Sequence, residues 1–75
     1  MNPTELALRQ IFKQVFRVSE LQDDDSIETI ALWDSMGHME LMSAIEQQFN
    51  IRIEPEDIID LTSLSAIKDY LKKHL

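Results

Sequence analysis

A loop passes into a helix within the stretch Leu32-Trp33-Asp34-Ser35-Met36-Gly37-His38-Met39-Glu40-Leu41. Asp34 is a residue type that caps helix N-termini, so it predicts that Ser35 takes the first helical position with its hydroxyl free. A phosphate on that oxygen would meet unpaired backbone N–H groups and the positive end of the helix dipole. The stretch therefore predicts Ser35 as an acceptor for a phosphodiester.

Ser35 lacks the partners that would make it a nucleophile. A serine hydrolase needs a histidine within hydrogen-bond reach, an acid that orients this histidine, and donors for the oxyanion. Helical periodicity turns the nearby His38 toward the buried side, and no acid is placed to orient it. We therefore expect His38 to be a hydrogen-bonded residue at the core edge, and we expect other enzymes to act on Ser35.

The second predicted helix runs from Ser35 to Phe49, and Asn50 suits the left-handed conformation that ends many helices. Helical periodicity gives this helix a buried stripe that comprises His38, Leu41, Met42, Ile45 and Phe49. Its outward face comprises Met36, Met39, Glu40, Ser43, Glu46 and Gln47. Methionine suits a surface that meets several partners because its thioether side chain is flexible.

A first helix is predicted over residues 3–16. Asn2 can cap it, Pro3 suits its first position, and Glu5 stands where a capping box has its acid. Residues 17–34 then show no sustained period, and structureless loops of this length are uncommon in compact domains. We interpret the segment as an ordered crossover that packs onto the core through its apolar residues, which are Val18, Leu21, Ile27, Ile30, Leu32 and Trp33.

Two further helices are predicted after an extended connector at residues 51–53. Pro55 opens a short third helix that ends by about Leu61, with acids near its positive end. Thr62 or Ser63 caps a last helix, whose apolar stripe comprises Leu64, Ile67, Tyr70 and Leu71. Residues 1–75 are thus expected to form a single domain, an all-α four-helix bundle with three longer helices, one short third helix and a long first loop.

Acidic residues are concentrated in the middle of the chain. The formal net charge is −7 over 75 residues, and residues 20–60 hold twelve acids against Arg52 alone. Such a surface repels nucleic acid and anionic membranes and attracts basic partners. The 34 residues from Val18 to Ile51 contain no Lys or Arg, which argues against a DNA-binding helix-turn-helix.

The sequence offers no pattern for a metal site, a disulfide or a membrane span. There is no cysteine, and the positions where a calcium loop starting at Asp23 needs Gly and Glu hold Glu28 and Asp34. No apolar run approaches the roughly 20 residues that a membrane span needs. The N-terminus has neither the basic flank nor the apolar core of a signal peptide. We expect a monomer in the cytoplasm, without membrane insertion and without nucleic acid.

Two short motifs carry a family resemblance. Asp34-Ser35-Met36 followed by Met39-Glu40-Leu41 resembles the Asp-Ser-Leu and Val-Glu-Leu signature of acyl carrier proteins. The resemblance covers nearly the whole chain, through Ala44-Ile45-Glu46-Gln47-Gln48-Phe49, Ile53, Leu61-Thr62-Ser63-Leu64 and Asp69-Tyr70-Leu71. An Asp-Ser pair alone is common, but its place at the head of the second helix of an acidic bundle makes the resemblance specific.

The resemblance implies that Ser35 is esterified by 4′-phosphopantetheine, which a separate phosphopantetheinyl transferase takes from coenzyme A. The thiol of this arm would carry acyl or aminoacyl groups as thioesters, so the protein would be a carrier and not an enzyme. Asp34 resembles the acid that accompanies the modified serine. The outward face matches the family's partner-reading surface, and the implied partners are the transferase, an acyl- or aminoacyl-loading ligase and downstream acyl-transfer enzymes with basic docking surfaces.

Several residues depart from the commonest pattern of this family. Gly37, Gln47 and Gln48 stand where housekeeping fatty-acid carriers often have acids, while Trp33 and His38 are more similar to discrete carriers of specialised pathways. The Trp33 side chain can contact the arm or a partner, or it can pack the loop onto the first helix. One alternative function stays open, a carrier-like helical interaction domain that uses the same acidic face without a prosthetic group.

Overall fold

The computed structural model describes residues 2–75, which contain four helices: α1 Pro3–Phe16, α2 Ser35–Phe49, α3 Pro55–Ile58 and α4 Leu64–His74. The predicted all-α four-helix architecture, with a short third helix and a long first loop, is confirmed. Met1, which belongs to the predicted domain 1–75, lies outside the described residues. Within residues 2–75, no helix is both long enough and apolar enough to cross a membrane.

The helix ends follow the local signals in the sequence. The Asn2 side chain accepts a hydrogen bond of 2.8 Å from the Glu5 backbone N–H, so α1 begins as predicted. Asn50 has the left-handed φ of 54° that ends α2. Ser63, not Thr62, caps α4, because its Oγ accepts a hydrogen bond of 3.0 Å from the Ala66 N–H.

Helix α3 is shorter than predicted. It ends at Ile58, and the expected continuation to about Leu61 is wrong. The Asp60 N–H donates to the Asp57 carbonyl at 3.0 Å, and the Leu61 N–H donates to the Ile58 carbonyl at 3.3 Å. These three-residue spacings tighten the chain into a turn, which leaves Ile59 75% exposed and returns Leu61 to the core.

The core lies between α1, α2 and α4, with α1 packed along α2. The Trp33 side chain is 2% exposed and completes an aromatic cluster with α1. Its ring lies edge-on to Phe12 at 5.3 Å and stacks on Phe16 at 5.2 Å between ring centroids. The Trp33 side chain therefore packs the loop onto α1, which is one of its two predicted roles.

Phe49, which was predicted in the buried stripe of α2, is half-buried at the core edge.

The long loop is an ordered crossover, as predicted. Ser26 forms an isolated antiparallel bridge with Ser63, next to the start of α4. Ile30 and Trp33 are buried, and Val18 and Leu21 pack against the core as half-buried residues. The prediction that Ile27 and Leu32 also anchor the loop is wrong, because their side chains are 39% and 50% exposed. The loop is held at Ile27 through its backbone, since the Ile27 N–H donates to the Thr62 carbonyl at 3.0 Å.

Arg9 ties α1 to the first part of the loop. Its guanidinium donates to the Glu5 carboxylate at 3.2 Å and to the Leu21 carbonyl at 3.1 Å, and it also pairs with Asp23. The hydrogen bond from Arg9 is the main reason that the pKa of Glu5 is lowered, with Lys68 adding to it from α4 at 3.3 Å. The pKa of Arg9 is raised, chiefly by its hydrogen bond to Asp23.

Candidate functional site

The junction of the loop and α2 places Ser35 at the surface. Asp34 is extended, and its carboxylate accepts a hydrogen bond of 2.8 Å from the Gly37 N–H, so it caps the helix as predicted. Ser35 is the first residue of α2 and is exposed to solvent. Its hydroxyl takes part in none of the side-chain hydrogen bonds found within residues 2–75.

His38 does not pair with Ser35. The Trp33 indole Nε1–H donates to His38 Nδ1 at 2.8 Å, and an indole nitrogen can only donate. The Nδ1 atom must therefore be an unprotonated acceptor. The other ring nitrogen, Nε2, lies 2.8 Å from the Ile58 carbonyl oxygen, so Nε2 carries the proton and donates it there. Both nitrogens of a neutral His38 are engaged, which leaves Ser35 without a base.

The site fits a phosphodiester on Ser35. The backbone N–H of Gly37 is taken by Asp34 Oδ1, and that of His38 donates to the Asp34 carbonyl at 2.7 Å. The N–H groups of Ser35 and Met36 have no partner among the backbone hydrogen bonds of residues 2–75. Two free donors at the positive end of a 15-residue helix stabilise a negative charge at this position.

Gly37 is explained by a close approach of the backbone. A Cβ atom at this position would lie 2.2 Å from the Leu32 carbonyl oxygen, 3.1 Å from Phe16 Cε1 and 3.2 Å from Asp34 Oδ1. The first contact is with backbone, so it cannot be relieved by a change of rotamer. Gly37 therefore lets the loop cross tightly over the first turn of α2. In the sequence Gly37 stands out as a departure from the family pattern, but no local signal explains it.

The predicted outward face of α2 presents two methionines to solvent. Met36 is 77% exposed and Met39 52%, and Glu40, Ser43 and Gln47 are also exposed. Together with Ser35 and Ala44 these five residues line an open depression of about 620 Å³, which we call the outer groove. Ser35 therefore lies within the same surface as most of the predicted partner-binding residues.

Glu46 differs from the rest of that face. It is half-buried, and its carboxylate accepts a hydrogen bond of 2.8 Å from the Ile53 N–H. The Glu46 side chain thus holds the connector between α2 and α3 onto the helix. The sequence pattern gave no signal for this contact, because it joins residues on either side of a helix end.

A second depression lies on the other side of Met36, between the end of α1 and the first turns of α2. It encloses about 310 Å³, and we call it the Arg17 groove; its lining residues are Val15, Arg17, Leu32, Asp34, Met36, Gly37 and Glu40. Arg17 has a left-handed φ of 56° at the end of α1. No sequence motif points to Arg17, and the only available signal is that a basic residue directly follows the predicted end of the first helix.

The chain is similar to a known protein family and to a curated carrier protein. The family described as "Phosphopantetheine attachment site" matches residues 7–71 of the chain. An acyl carrier protein of Buchnera aphidicola subsp. Baizongia pistaciae (strain Bp) is 43% identical over 42 residues, which are 56% of this chain and 54% of that relative. The match therefore spans about half the length of the curated relative.

Proposed function

The chain belongs to the phosphopantetheine-attachment family of carrier proteins, and we propose from this premise that Ser35 bears the 4′-phosphopantetheine arm. The family places a covalent 4′-phosphopantetheine on a carrier that is not itself an enzyme. One observation carries the choice of residue. Ser35 is exposed at the start of α2, directly after the Asp34 cap, with two free backbone N–H groups beside its hydroxyl.

In this function the arm supplies a thiol that holds acyl or aminoacyl groups as thioesters between enzymes. The chain contributes a rigid attachment point, because Asp34 and Gly37 fix the loop-to-helix junction. Asp34 is the acidic residue of the attachment motif. Its negative charge next to Ser35 also suits a transferase that approaches with a basic surface.

The proposed partners are a phosphopantetheinyl transferase, an acyl- or aminoacyl-loading ligase and downstream acyl-transfer enzymes. They dock on the outward face of α2, which comprises Met36, Met39, Glu40, Ser43, Glu46 and Gln47. Exposed thioethers adapt to differently shaped partners, and the acidic middle of the chain attracts basic docking surfaces. Glu46 contributes charge to this face while it holds the Ile53 backbone.

We further propose that the described helices form a single carrier domain that acts as a monomer in the cytoplasm. A reducing compartment suits the function, because a free thiol at the end of the arm has to stay reduced to form thioesters. The net charge of −7 also supports a protein that meets protein partners and neither nucleic acid nor anionic lipid.

The test is enzymatic loading followed by intact mass measurement. The purified chain is incubated with coenzyme A and a broad-specificity phosphopantetheinyl transferase, and its mass should rise by one phosphopantetheine. Ser35→Ala should abolish the rise. Ser65→Ala is the matched control, because Ser65 is also an exposed serine in the first turn of a helix, and this variant should load like wild type.

The alternative function is an unmodified interaction domain. The observation that favours it is the strong exposure of Met36 and Met39, which form an apolar surface that needs no arm. A chain that remains unmodified with several transferases would support this alternative and contradict the carrier proposal.

A further inference from the structure

Two grooves border the first turns of α2, and one of them is lined by a basic residue. The outer groove has Glu40 as its single charged lining residue. The Arg17 groove shares Glu40 but adds Asp34 and Arg17, so the formal charges of its lining residues also sum to −1, and it differs from the outer groove in holding a cation. The Asp34 carboxylate is held by the Gly37 N–H. Among residues 2–75, Arg17 is therefore the one basic residue that lines either groove beside Ser35.

Arg17 has no structural task of the kind that Arg9 has. Arg9 is tied to Glu5, the Leu21 carbonyl and Asp23, whereas Arg17 is exposed and belongs to none of the ion pairs found within residues 2–75. The left-handed backbone at this position favours glycine or asparagine, the latter being the residue that ends α2. Neither ion pairing nor backbone conformation accounts for an arginine here.

The Arg17 groove combines this cation with uncovered apolar surface. The Leu32 side chain is 50% exposed and the Met36 side chain 77% exposed, although both lie on the groove wall. The groove volume is about 310 Å³, against about 620 Å³ for the outer groove, so volume does not decide between the two. Its residues Asp34 and Met36 are the immediate chain neighbours of Ser35.

We propose that the Arg17 groove is the resting site of the phosphopantetheine arm, with Arg17 paired to the phosphodiester and Leu32 and Met36 covering the carbon that bears two methyl groups. The inference rests on the proposed attachment at Ser35. A phosphodiester is an anion, so in the outer groove it faces Glu40 without a cation, whereas the Arg17 groove offers one arginine as a direct partner beside Glu40 and the Asp34 carboxylate, which already accepts from the Gly37 N–H. The resting arm therefore lies on the α1 side and leaves the outer groove open for partners.

The test is an isotope-filtered NMR measurement on the loaded protein, with an unlabelled arm on a ¹³C-labelled chain. The two methyl groups of the arm should show NOEs to Val15 and Leu32, which line the Arg17 groove alone. NOEs to Met39 and Ala44, which line the outer groove alone, would overturn the proposal. An arm with no NOE to either groove would overturn it as well.

Two variants isolate the contribution of Arg17. Arg17→Asn removes the charge but keeps a residue that tolerates the left-handed backbone, and it should abolish the NOEs to Leu32 and shift the ³¹P resonance of the phosphodiester. Lys13→Gln removes the same charge from an exposed α1 residue that lines neither groove, and it should leave both signals unchanged. NOEs that survive in Arg17→Asn would overturn the proposal.

Intact mass distinguishes a failure of the proposed resting site from a failure of the proposed attachment at Ser35. The mass of each sample is measured before the NMR experiment. A chain that takes no arm contradicts both proposals. A chain loaded at Ser35 whose arm lies outside the Arg17 groove contradicts the resting site alone.

Discussion

The indole Nε1–H of Trp33 donates a buried hydrogen bond of 2.8 Å to Nδ1 of His38. This contact joins the end of the loop to α2. The other ring nitrogen of His38, Nε2, extends the connection to the Ile58 carbonyl in α3. Trp33 and His38 thus hold three parts of the chain together. Their role in the fold is to fix the Asp34–Ser35 junction from its buried side.

The first prediction concerns the coupling of these two residues. His38→Leu leaves the Trp33 N–H and the Ile58 carbonyl without their partner and should lower the free energy of unfolding by about 1–3 kcal/mol. Trp33→Phe removes the donor from the other side. In a double-mutant cycle measured by urea unfolding, the two changes should couple by about 1 kcal/mol. Strict additivity would contradict the hydrogen bond, and Gln14→Leu, a control at an exposed position of α1, should cost less than about 0.5 kcal/mol.

The second prediction concerns Gly37→Ala. Alanine favours an exposed helix by about 1 kcal/mol over glycine, but here its Cβ would lie 2.2 Å from the Leu32 carbonyl oxygen. The clash should prevail, and the free energy of unfolding should fall by about 1–3 kcal/mol. Ser43→Ala, at an exposed position of the same helix, should be neutral or slightly stabilising. Urea unfolding of both variants checks this, and a more stable Gly37→Ala variant would show that the loop does not cross so closely.

The third prediction separates the two roles of Asp34. Asp34→Ala removes the cap on the Gly37 N–H and should cost about 0.5–2 kcal/mol of unfolding free energy. Asp34→Asn keeps a capping oxygen and should retain most of the stability, while it removes the charge next to Ser35. If the charge guides the transferase, the initial rate of loading should fall in Asp34→Asn at unchanged melting temperature. An unaltered loading rate would mean that Asp34 acts only as the cap of α2.

The fourth prediction concerns acid. The pKa of Glu5 in the folded chain lies below its ordinary value of 4.5, chiefly because of the hydrogen bond from Arg9. Its stabilisation is therefore fully present above pH 4.5 and is lost as the pH falls through the lowered folded value. When the pH is lowered below 5, the melting temperature of Glu5→Gln should fall less steeply than that of wild type. Glu20→Gln, at an exposed loop position outside the ion pairs of residues 2–75, should follow wild type.

The fifth prediction compares two acids of α2. Glu46→Ala removes the acceptor of the Ile53 N–H and should lower the unfolding free energy by about 1.5 kcal/mol. This value is at the low end of the range for hydrogen bonds to charged groups, because Glu46 is only half-buried. Glu40→Ala should leave stability unchanged, because Glu40 is exposed. Amide hydrogen exchange at Ile53 should quicken in the first variant and not in the second. Equal exchange in both would contradict the contact.

The features that were predictable from the sequence are those encoded by neighbouring residues. Asn2, Asp34 and Ser63 mark helix starts through side chains that accept from a backbone N–H three residues on, and Asn50 marks the end of α2 through its left-handed backbone, so capping rules find all four. The position of Ser35 follows from one of these caps. The buried stripe and the exposed methionines of α2 also follow from helical periodicity alone.

The features that were missed depend on contacts between distant parts of the chain. The need for Gly37 comes from a carbonyl five residues earlier that is brought back by the aromatic packing of Trp33. The engagement of Glu46 depends on where the connector runs after Asn50, and the early end of α3 depends on how Leu61 reaches the core. No local rule contains that information, because it is fixed only when the helices pack.

The bridge between Ser26 and Ser63 bears on the order in which the chain can fold. The Leu64 N–H, at the first position of α4, donates to the Asp25 carbonyl at 3.0 Å, so the loop supplies the acceptor for a helix end 39 residues away. We expect the middle of the crossover and the start of α4 to become ordered together, because each supplies a backbone partner to the other.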